Sequence, residues 1–96
     1  PADGVYAGWV ERLDDPSLPP MPSAISVGTN PTFDGHERRV EAHVIGRADL
    51  DLYGQVIGVE FVDRLRGQLR FEGVQALIDQ MTVDVANARV ILGLPA

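Results

Sequence analysis

The hydrophobic residues of this chain change their spacing near residue 72, and that change limits the folds open to it. Beyond this point apolar side chains recur every three or four residues, which is the period of one face of an α-helix. The stripe consists of Val74, Leu77, Ile78, Met81, Val85, Ala88 and Leu92. Asp79, Asp84, Asn87 and Arg89 fall off it. The pattern predicts one amphipathic helix at about residues 73–92, which Gly93 and Pro95 bring to an end.

The part of the chain before residue 72 reads as short β-strands separated by turns. Strands are predicted at residues 4–12, 23–28, 39–45 and 55–63, with a further short strand near 65–71. In the third of them Val40, Ala42 and Val44 share one face, and Glu41, His43 and Ile45 share the other. Proline-rich and glycine-rich stretches separate the strands, and residues 29–37 are expected to form a turn-rich loop opened by Asn30-Pro31. Several short strands followed by one helix predict a mainly β fold, a small barrel or rolled sheet with the helix on its outside.

Length and composition restrict the class of protein further. The 96 residues suit a single domain over 1–96, and no apolar run approaches the ~20 residues of a membrane helix. A net charge of −6 argues against nucleic-acid binding, which needs basic clusters. The absence of cysteine excludes disulfides and thiolate catalysis and is compatible with the cytoplasm. We therefore expect a cytoplasmic protein that binds neither nucleic acid nor membrane, and the chain opens at Pro1 as an internal start would.

Common ligand motifs are absent or lack their structural context. Asp49 to Gly54 with Glu60 nearly fits the calcium loop of an EF-hand, but Tyr53 replaces an oxygen ligand and both flanks are predicted strands. No Walker A loop and no nucleophile elbow are found. His36 and His43 have no metal-ligand spacing. Glu41 lies mid-strand between Val40 and Ala42, so it either faces solvent or acts as a base inside a cleft.

Five blocks in order together resemble the riboflavin kinase family. They are Gly4 to Trp9 (GVYAGW), Ser26 to Phe33 (SVGTNPTF), Val40 to Ile45 (VEAHVI), Asp51 to Gly54 (DLYG), and Leu65-Arg66 with Phe71 and the helix residues Leu77, Gln80, Asp84, Ala88 and Arg89. The likeness covers nearly the whole chain, from Asp3 to about Leu92. It implies a six-stranded, Greek-key-like antiparallel β-barrel with a C-terminal helix. It also implies transfer of the γ-phosphate of ATP to the 5′-hydroxyl of riboflavin, which gives FMN.

The resemblance assigns roles position by position. Glu41 would be the general base that takes the proton from the ribityl hydroxyl. The adenine side of the nucleotide site would be lined by Val44, Ile45, Gly46 and Tyr53. Arg66 would donate hydrogen bonds to the flavin, and Phe71 would make apolar or ring contact with it. ATP would be used with Mg²⁺, and an FAD synthetase (adenylyltransferase) domain would lie upstream, as in bifunctional bacterial relatives.

Two departures from the family pattern limit these expectations. A Pro-Thr-Ala-Asn motif on a preceding strand holds Mg²⁺ and phosphate in the family, and nothing here corresponds to it, so no metal ligand is assigned. Without that first strand the barrel edge should be open and this chain alone should turn over poorly. Gly67-Gln68-Leu69 replaces a charged stretch that follows Arg66 in many relatives. The alternative function is a non-catalytic barrel that binds a flavin or nucleotide, and the presence of Glu41 argues against it.

Overall fold

Four antiparallel strands and one helix make up the structure, a computed structural model that describes residues 1–46 and 57–95. The elements are β1 (Gly4–Arg12), β2 (Met21–Thr32), β3 (Gly35–Val44), β4 (Ile57–Arg66) and α1 (Val74–Ile91). The mainly β class and the C-terminal helix are thereby confirmed. Four strands are seen within the described ranges, where the resemblance implied a six-stranded barrel without its first strand. The predicted nucleotide residue Tyr53 lies outside those ranges.

The strands form one sheet in the order β3-β2-β1-β4, and every pairing in it is antiparallel. Three consecutive strands followed by a fourth that returns to lie beside the first is the spatial order of a Greek key. Within the described residues, β3 and β4 are therefore the two edges of the sheet.

The β2–β3 hairpin is longer than the sequence predicted. Residues 29–37 were expected to form a loop, but pairing continues to Thr32 and Gly35 and leaves Phe33 and Asp34 as the turn. Proline is tolerated at position 31 because β1 pairs with β2 only as far as Val27, so this end of β2 is paired on one side.

The short strand predicted near residues 65–71 is wrong, because β4 runs on to Arg66 and residues 67–71 leave the sheet. The departure is stabilised by side chains rather than by strand pairing. The Nη1 of Arg66 donates to the carbonyl of Gly67, and the amide of Gln68 donates to the carbonyl of Val27.

The strand register places one row of residues across the whole sheet. Glu41 pairs with Ser26, Ser26 with Val5, and Val5 with Arg66. Two register shifts in the β1–β4 pairing, between Val5 and Tyr6 and between Ala7 and Gly8, bring Arg66 to this position. Since directly opposed residues share a face, Glu41 and Arg66 lie on the same side of the sheet, three strand spacings or roughly 14 Å apart.

The opposite face of the sheet carries its own apolar core. Tyr6, Ile25 and Val27 are buried there, and Ala42, Val59 and Phe61 pack against them. The rings of Tyr6 and Phe61 meet edge to face, with centroids 5.1 Å apart. These contacts support the predicted alternation in β3, since Ala42 packs on this face and Glu41 faces the other way.

Helix α1 covers the face that carries Glu41 and Arg66. Ala88 is fully buried against Ala7 and Ile45, and Val85 and Leu92 pack around them. Asp84 is also buried, although the sequence placed it off the apolar stripe. That prediction was wrong because Arg66 supplies a charged partner that periodicity cannot show. No helix in the described ranges combines the length and hydropathy needed to cross a bilayer.

Arg66 and Asp84 form a two-pronged ion pair that joins the sheet to the helix. The Nε of Arg66 donates to Asp84 Oδ1 at 2.9 Å, and its Nη2 donates to Oδ2 at 2.7 Å. The Asp84 side chain is 6% exposed and that of Arg66 is 17% exposed. Burial by itself would raise the pKa of the Asp84 carboxyl, but hydrogen bonds from Arg66 and Gln80 and the charge of Arg66 hold it below the ordinary value.

We expect Gly8→Ala to destabilise the fold by about 1–3 kcal/mol, the usual cost of overpacking. A Cβ at Gly8 would overlap the backbone carbonyl oxygen of Glu60 and would lie 2.7 Å from Cδ1 of Ile25. Gly58→Ala on the neighbouring strand is the matched control, because the nearest described atoms to its Cβ belong to the exposed Leu13 side chain, at 3.4 Å. Urea unfolding of the three proteins checks this, and equal losses in both variants would contradict it.

We expect Asp84→Asn to lower the free energy of unfolding at pH 7 by about 3 kcal/mol, because it leaves a largely buried guanidinium without its counter-ion. Since the folded pKa of Asp84 is depressed, its contribution is present above the unfolded aspartate pKa of about 3.9 and is lost as the pH falls through the lower folded value. The variant should therefore lose less stability than the parent protein between pH 5 and pH 2.

The control for this substitution is Asp79→Asn on the exposed side of the same helix, where the carboxylate accepts a hydrogen bond from Gln75. It should change stability by no more than about 0.5 kcal/mol. Thermal unfolding followed across the pH series distinguishes the two, and parallel pH profiles for Asp84→Asn and the parent protein would count against the ion pair.

Candidate functional site

Two adjoining concavities lie on the helix-covered side of the sheet. The first, here called the helix-side cavity, has a volume of ≈ 350 Å³, within the range of small-molecule sites. Its lining is mostly apolar and includes Val5, Ala24, Arg66, Phe71, Leu77, Met81, Asp84 and Val85. The second, the strand-side cleft, has a volume of ≈ 470 Å³ and is polar. It is lined by Asp3, Gly28, Thr29, Arg39, Leu69 and Arg70.

Three side chains line both spaces, namely Ser26, Glu41 and Gln68. Ser26 and Glu41 are neighbours because β2 and β3 pair there. Gln68 reaches them from the segment after β4, where its amide nitrogen donates to Ser26 Oγ at 3.0 Å and to the carbonyl of Val27 at 2.8 Å. The wall between cavity and cleft is thus built from three separate parts of the chain.

Glu41 lies at the rim of this wall. Its side chain is 65% exposed, and its Oε1 is 3.9 Å from the Nε of Arg39, a neighbour on the same face of β3. At that exposure the ion pair contributes little to stability. The carboxylate borders the cleft and remains accessible to solvent, and its role as a base stays a prediction.

Arg66 and Phe71 meet in the helix-side cavity. The guanidinium carbon of Arg66 lies 5.9 Å from the centroid of the Phe71 ring, within cation–π range. Asp84 and the Gly67 carbonyl engage three of its five N–H groups among the described residues. The structure therefore brings together the two residues predicted to contact a flavin, with Glu41 on the wall of the same cavity.

The described residues predicted to line the adenine do not line either space. Val44 and Ile45 are buried, and Ile45 packs against Ala7 and Ala88. Gly46 is exposed, with a φ of +79° that favours glycine. Their role in nucleotide binding stays a prediction, as does that of Tyr53, outside the described ranges.

The carboxylates of the described chain do not fit a resident magnesium ion. No group of three or more His, Asp or Glu side chains comes together in residues 1–46 and 57–95. Of the two carboxylates that line the cleft, Asp3 is held by Arg38 Nη2 at 3.2 Å and by Thr29 Oγ1 at 3.2 Å, and Glu41 faces Arg39. A metal used in this cleft would need ligands from elsewhere, such as phosphate oxygens.

Sequence reasoning left three residues of this site without a role: Asp84, Gln68 and Ser26. A buried aspartate on the apolar side of a helix breaks the hydrophobic period, so periodicity alone treats it as surface. Gln68 and Ser26 meet only through the fold, 42 residues apart in sequence. The one signal available in the sequence was the order of Arg66, Gln68 and Phe71 after a strand.

Comparison with known proteins identifies a family whose sequences match this chain. A family profile described as "Flavokinase: Riboflavin kinase" matches residues 1–92. Human riboflavin kinase is 30% identical over 98 residues, covering 99% of this chain and 61% of the relative. The bifunctional riboflavin kinase/FMN adenylyltransferase of Escherichia coli (strain K12) is 35% identical over 94 residues, covering 98% of this chain and 29% of the relative.

A solved structure described as a macrolide-efflux protein from Streptococcus pneumoniae superposes with a TM-score of 0.78 and 37% identity, covering 93% of this chain and 28% of that one. The chain therefore spans less than two thirds of each relative named here. Because the family profile matches nearly its whole length, the chain belongs to the flavokinase (riboflavin kinase) family.

Proposed function

We propose that this chain carries riboflavin kinase activity and transfers the γ-phosphate of ATP to the 5′-hydroxyl of riboflavin, which gives FMN and ADP. The observation that carries the proposal is the position of Glu41, on the wall shared by an apolar cavity and a polar cleft. A two-substrate transfer needs such a junction, because the base must contact the hydroxyl of one substrate while that oxygen approaches the phosphorus of the other.

The helix-side cavity suits the isoalloxazine ring of riboflavin. Its walls are apolar, and Phe71 offers a ring for contact while Arg66 keeps N–H groups to donate to ring carbonyls. The cross-sheet row then supports the placement of the substrate. Arg66 at one end would hold the ring, and Glu41 at the other, roughly 14 Å away, would meet the ribityl hydroxyl.

The strand-side cleft suits the phosphates. In a chain of net charge −6 it gathers two guanidinium groups, those of Arg39 and Arg70, beside the hydroxyl of Thr29. Such groups neutralise the charge that spreads over the phosphoryl oxygens during transfer. ATP is proposed to enter as its magnesium complex, and the adenine contacts predicted at Val44, Ile45, Gly46 and Tyr53 belong to this proposal as well.

In the reaction, the Glu41 carboxylate accepts the proton of the 5′-hydroxyl as that oxygen bonds to the γ-phosphorus. The bond between the γ-phosphorus and the bridging oxygen breaks, and the electron pair leaves with ADP. Glu41 then gives up its proton to water, which its exposed position allows. A positioned base of this kind accelerates transfer by about 10²–10⁴-fold.

Two relatives bear on the wider protein. The Escherichia coli relative joins a riboflavin kinase to an FMN adenylyltransferase, and we propose the same upstream neighbour for this chain. Efflux belongs to the description of the Streptococcus pneumoniae protein, of which this chain matches 28%, and is not proposed here.

Replacing the proposed base with its isosteric amide tests the reaction directly. In the full-length protein carrying Glu41→Gln we expect kcat for FMN formation to fall by about 10²–10⁴-fold, because the amide cannot take the proton. Riboflavin affinity, measured by quenching of flavin fluorescence, should stay within about twofold since the shape is kept. Glu60→Gln, on the exposed side of β4, is the control and should leave kcat unchanged. A variant that binds riboflavin normally and turns over at the parent rate would remove Glu41 from the mechanism, whereas a parent protein that binds riboflavin without phosphorylating it would favour the non-catalytic binding module.

Removing the ring from the cavity tests where the flavin binds. Phe71→Ala should weaken riboflavin binding by about tenfold through lost ring contact and a less constrained Arg66, with little change in the KM for ATP. Phe33→Ala is the matched control, because Phe33 is 104% exposed at the tip of the β2–β3 hairpin. Titration of flavin fluorescence compares the two variants. Similar riboflavin affinities in Phe71→Ala and the parent protein would place the flavin elsewhere.

A further inference from the structure

We infer that Asp84 is a positioning residue for riboflavin, which acts by holding the guanidinium of Arg66 in the wall of the helix-side cavity. The inference rests on the proposed function and adds a residue to which neither the sequence nor the family match assigned a role. Its basis is that Asp84 lies in the lining of the same cavity while its carboxylate is directed at Arg66.

The geometry of the pair fixes both the position and the rotation of the guanidinium plane. Oδ1 of Asp84 accepts a hydrogen bond from Nε of Arg66 at 2.9 Å, and Oδ2 accepts one from Nη2 at 2.7 Å. This paired geometry orients an arginine side chain. The Gly67 carbonyl accepts from Nη1 at 2.9 Å on another side of the group. Among the described residues two N–H groups are left over, and their directions are set by these three bonds.

Asp84 is itself held in place. The amide of Gln80, one turn earlier on α1, donates to Asp84 Oδ1 at 3.0 Å. The same turn of the helix is anchored by Val85, which packs against the Ala7–Ala88 cluster. The carboxylate therefore sits on a rigid element, and a rigidly held carboxylate loses little entropy when it orients its partner.

A salt bridge with only a structural role would not need to border the cavity. Here the pair forms part of the lining, and Phe71 lies beside the guanidinium at 5.9 Å. Without Asp84, Arg66 could rotate out of the cavity toward solvent, and its N–H groups would no longer be arranged for a planar ligand. Riboflavin binding would then have to order Arg66, which costs free energy. The Kd for riboflavin should therefore rise, while the rate of the transfer step should not change.

The test compares riboflavin binding and turnover in Asp84→Asn, Arg66→Lys and the double variant, all below their melting temperatures. An asparagine presents one acceptor and one NH₂ group, so it breaks the fork while keeping the size of the side chain. We expect Asp84→Asn to raise the Kd and KM for riboflavin by about tenfold, the effect of one charge-assisted hydrogen bond, with kcat reduced by less than about threefold.

The double variant separates positioning from simple stabilisation. If Asp84 acts through Arg66, then Asp84→Asn should weaken binding by less than about twofold once Arg66 is lysine, since the oriented fork is already lost. Gln80→Leu removes the supporting hydrogen bond with less risk to folding, and it should raise the riboflavin Kd by about two- to threefold. It serves as the decisive variant if Asp84→Asn does not fold.

The outcomes are distinct. An unchanged riboflavin Kd in folded Asp84→Asn or in Gln80→Leu, or fully additive losses in the double variant, would overturn the positioning role and leave the kinase proposal standing. Failure of the unaltered protein to bind riboflavin at all would overturn both. A loss confined to kcat would also contradict the inference, because Asp84 would then act on the transfer step.

Discussion

The strand register is the constraint on which the rest of this structure depends. A slip of one residue in any pairing would turn a strand's side chains to the opposite face. The present pairing carries Glu41, Ser26, Val5 and Arg66 in one row on the helix side of the sheet. The opposite face holds the register in place, since Tyr6, Ile25 and Val27 are buried there. The core of one face thereby determines which groups the other face presents to a ligand.

The helix contributes to the site through charge as well as through packing. An apolar residue at position 84 would satisfy the hydrophobic period, and buried ion pairs often stabilise a fold no more than apolar residues do. The Asp84–Arg66 pair therefore has its clearest physical use in orientation: it joins α1 to the end of β4 and fixes a cation beside Phe71. This view explains why a buried charge is kept on the face of the helix that closes the cavity.

Local pattern in the sequence predicted the elements well and their partners poorly. The first strand at residues 4–12 follows from its aromatic and β-branched residues, and the helix at about 73–92 follows from helical period; both are properties of neighbouring residues. The long β2–β3 hairpin was missed because Asn30-Pro31 ordinarily signals a turn, whereas here it lies where β2 is paired on one side. Asp84 was missed because its burial depends on Arg66, which is 18 residues away. Glu41 and Arg66 were named through family resemblance, and no local pattern could have placed them in one row.

The fold gives a physical reason why the two ends of the site are proposed to contact different parts of the substrates. Antiparallel pairing sets neighbouring strands at a fixed spacing, so residues three strands apart are held at a distance that packing cannot easily alter. A ligand with a planar ring at one end and a hydroxyl-bearing chain at the other spans such a row. The two ends of the row also differ in polarity, because the helix covers the Arg66 end while the Glu41 end opens to the cleft with Arg39 and Arg70. The proposed function therefore puts the apolar ring at the Arg66 end of the row and the charged phosphates at the Glu41 end, where the hydroxyl-bearing chain of the ligand would reach them.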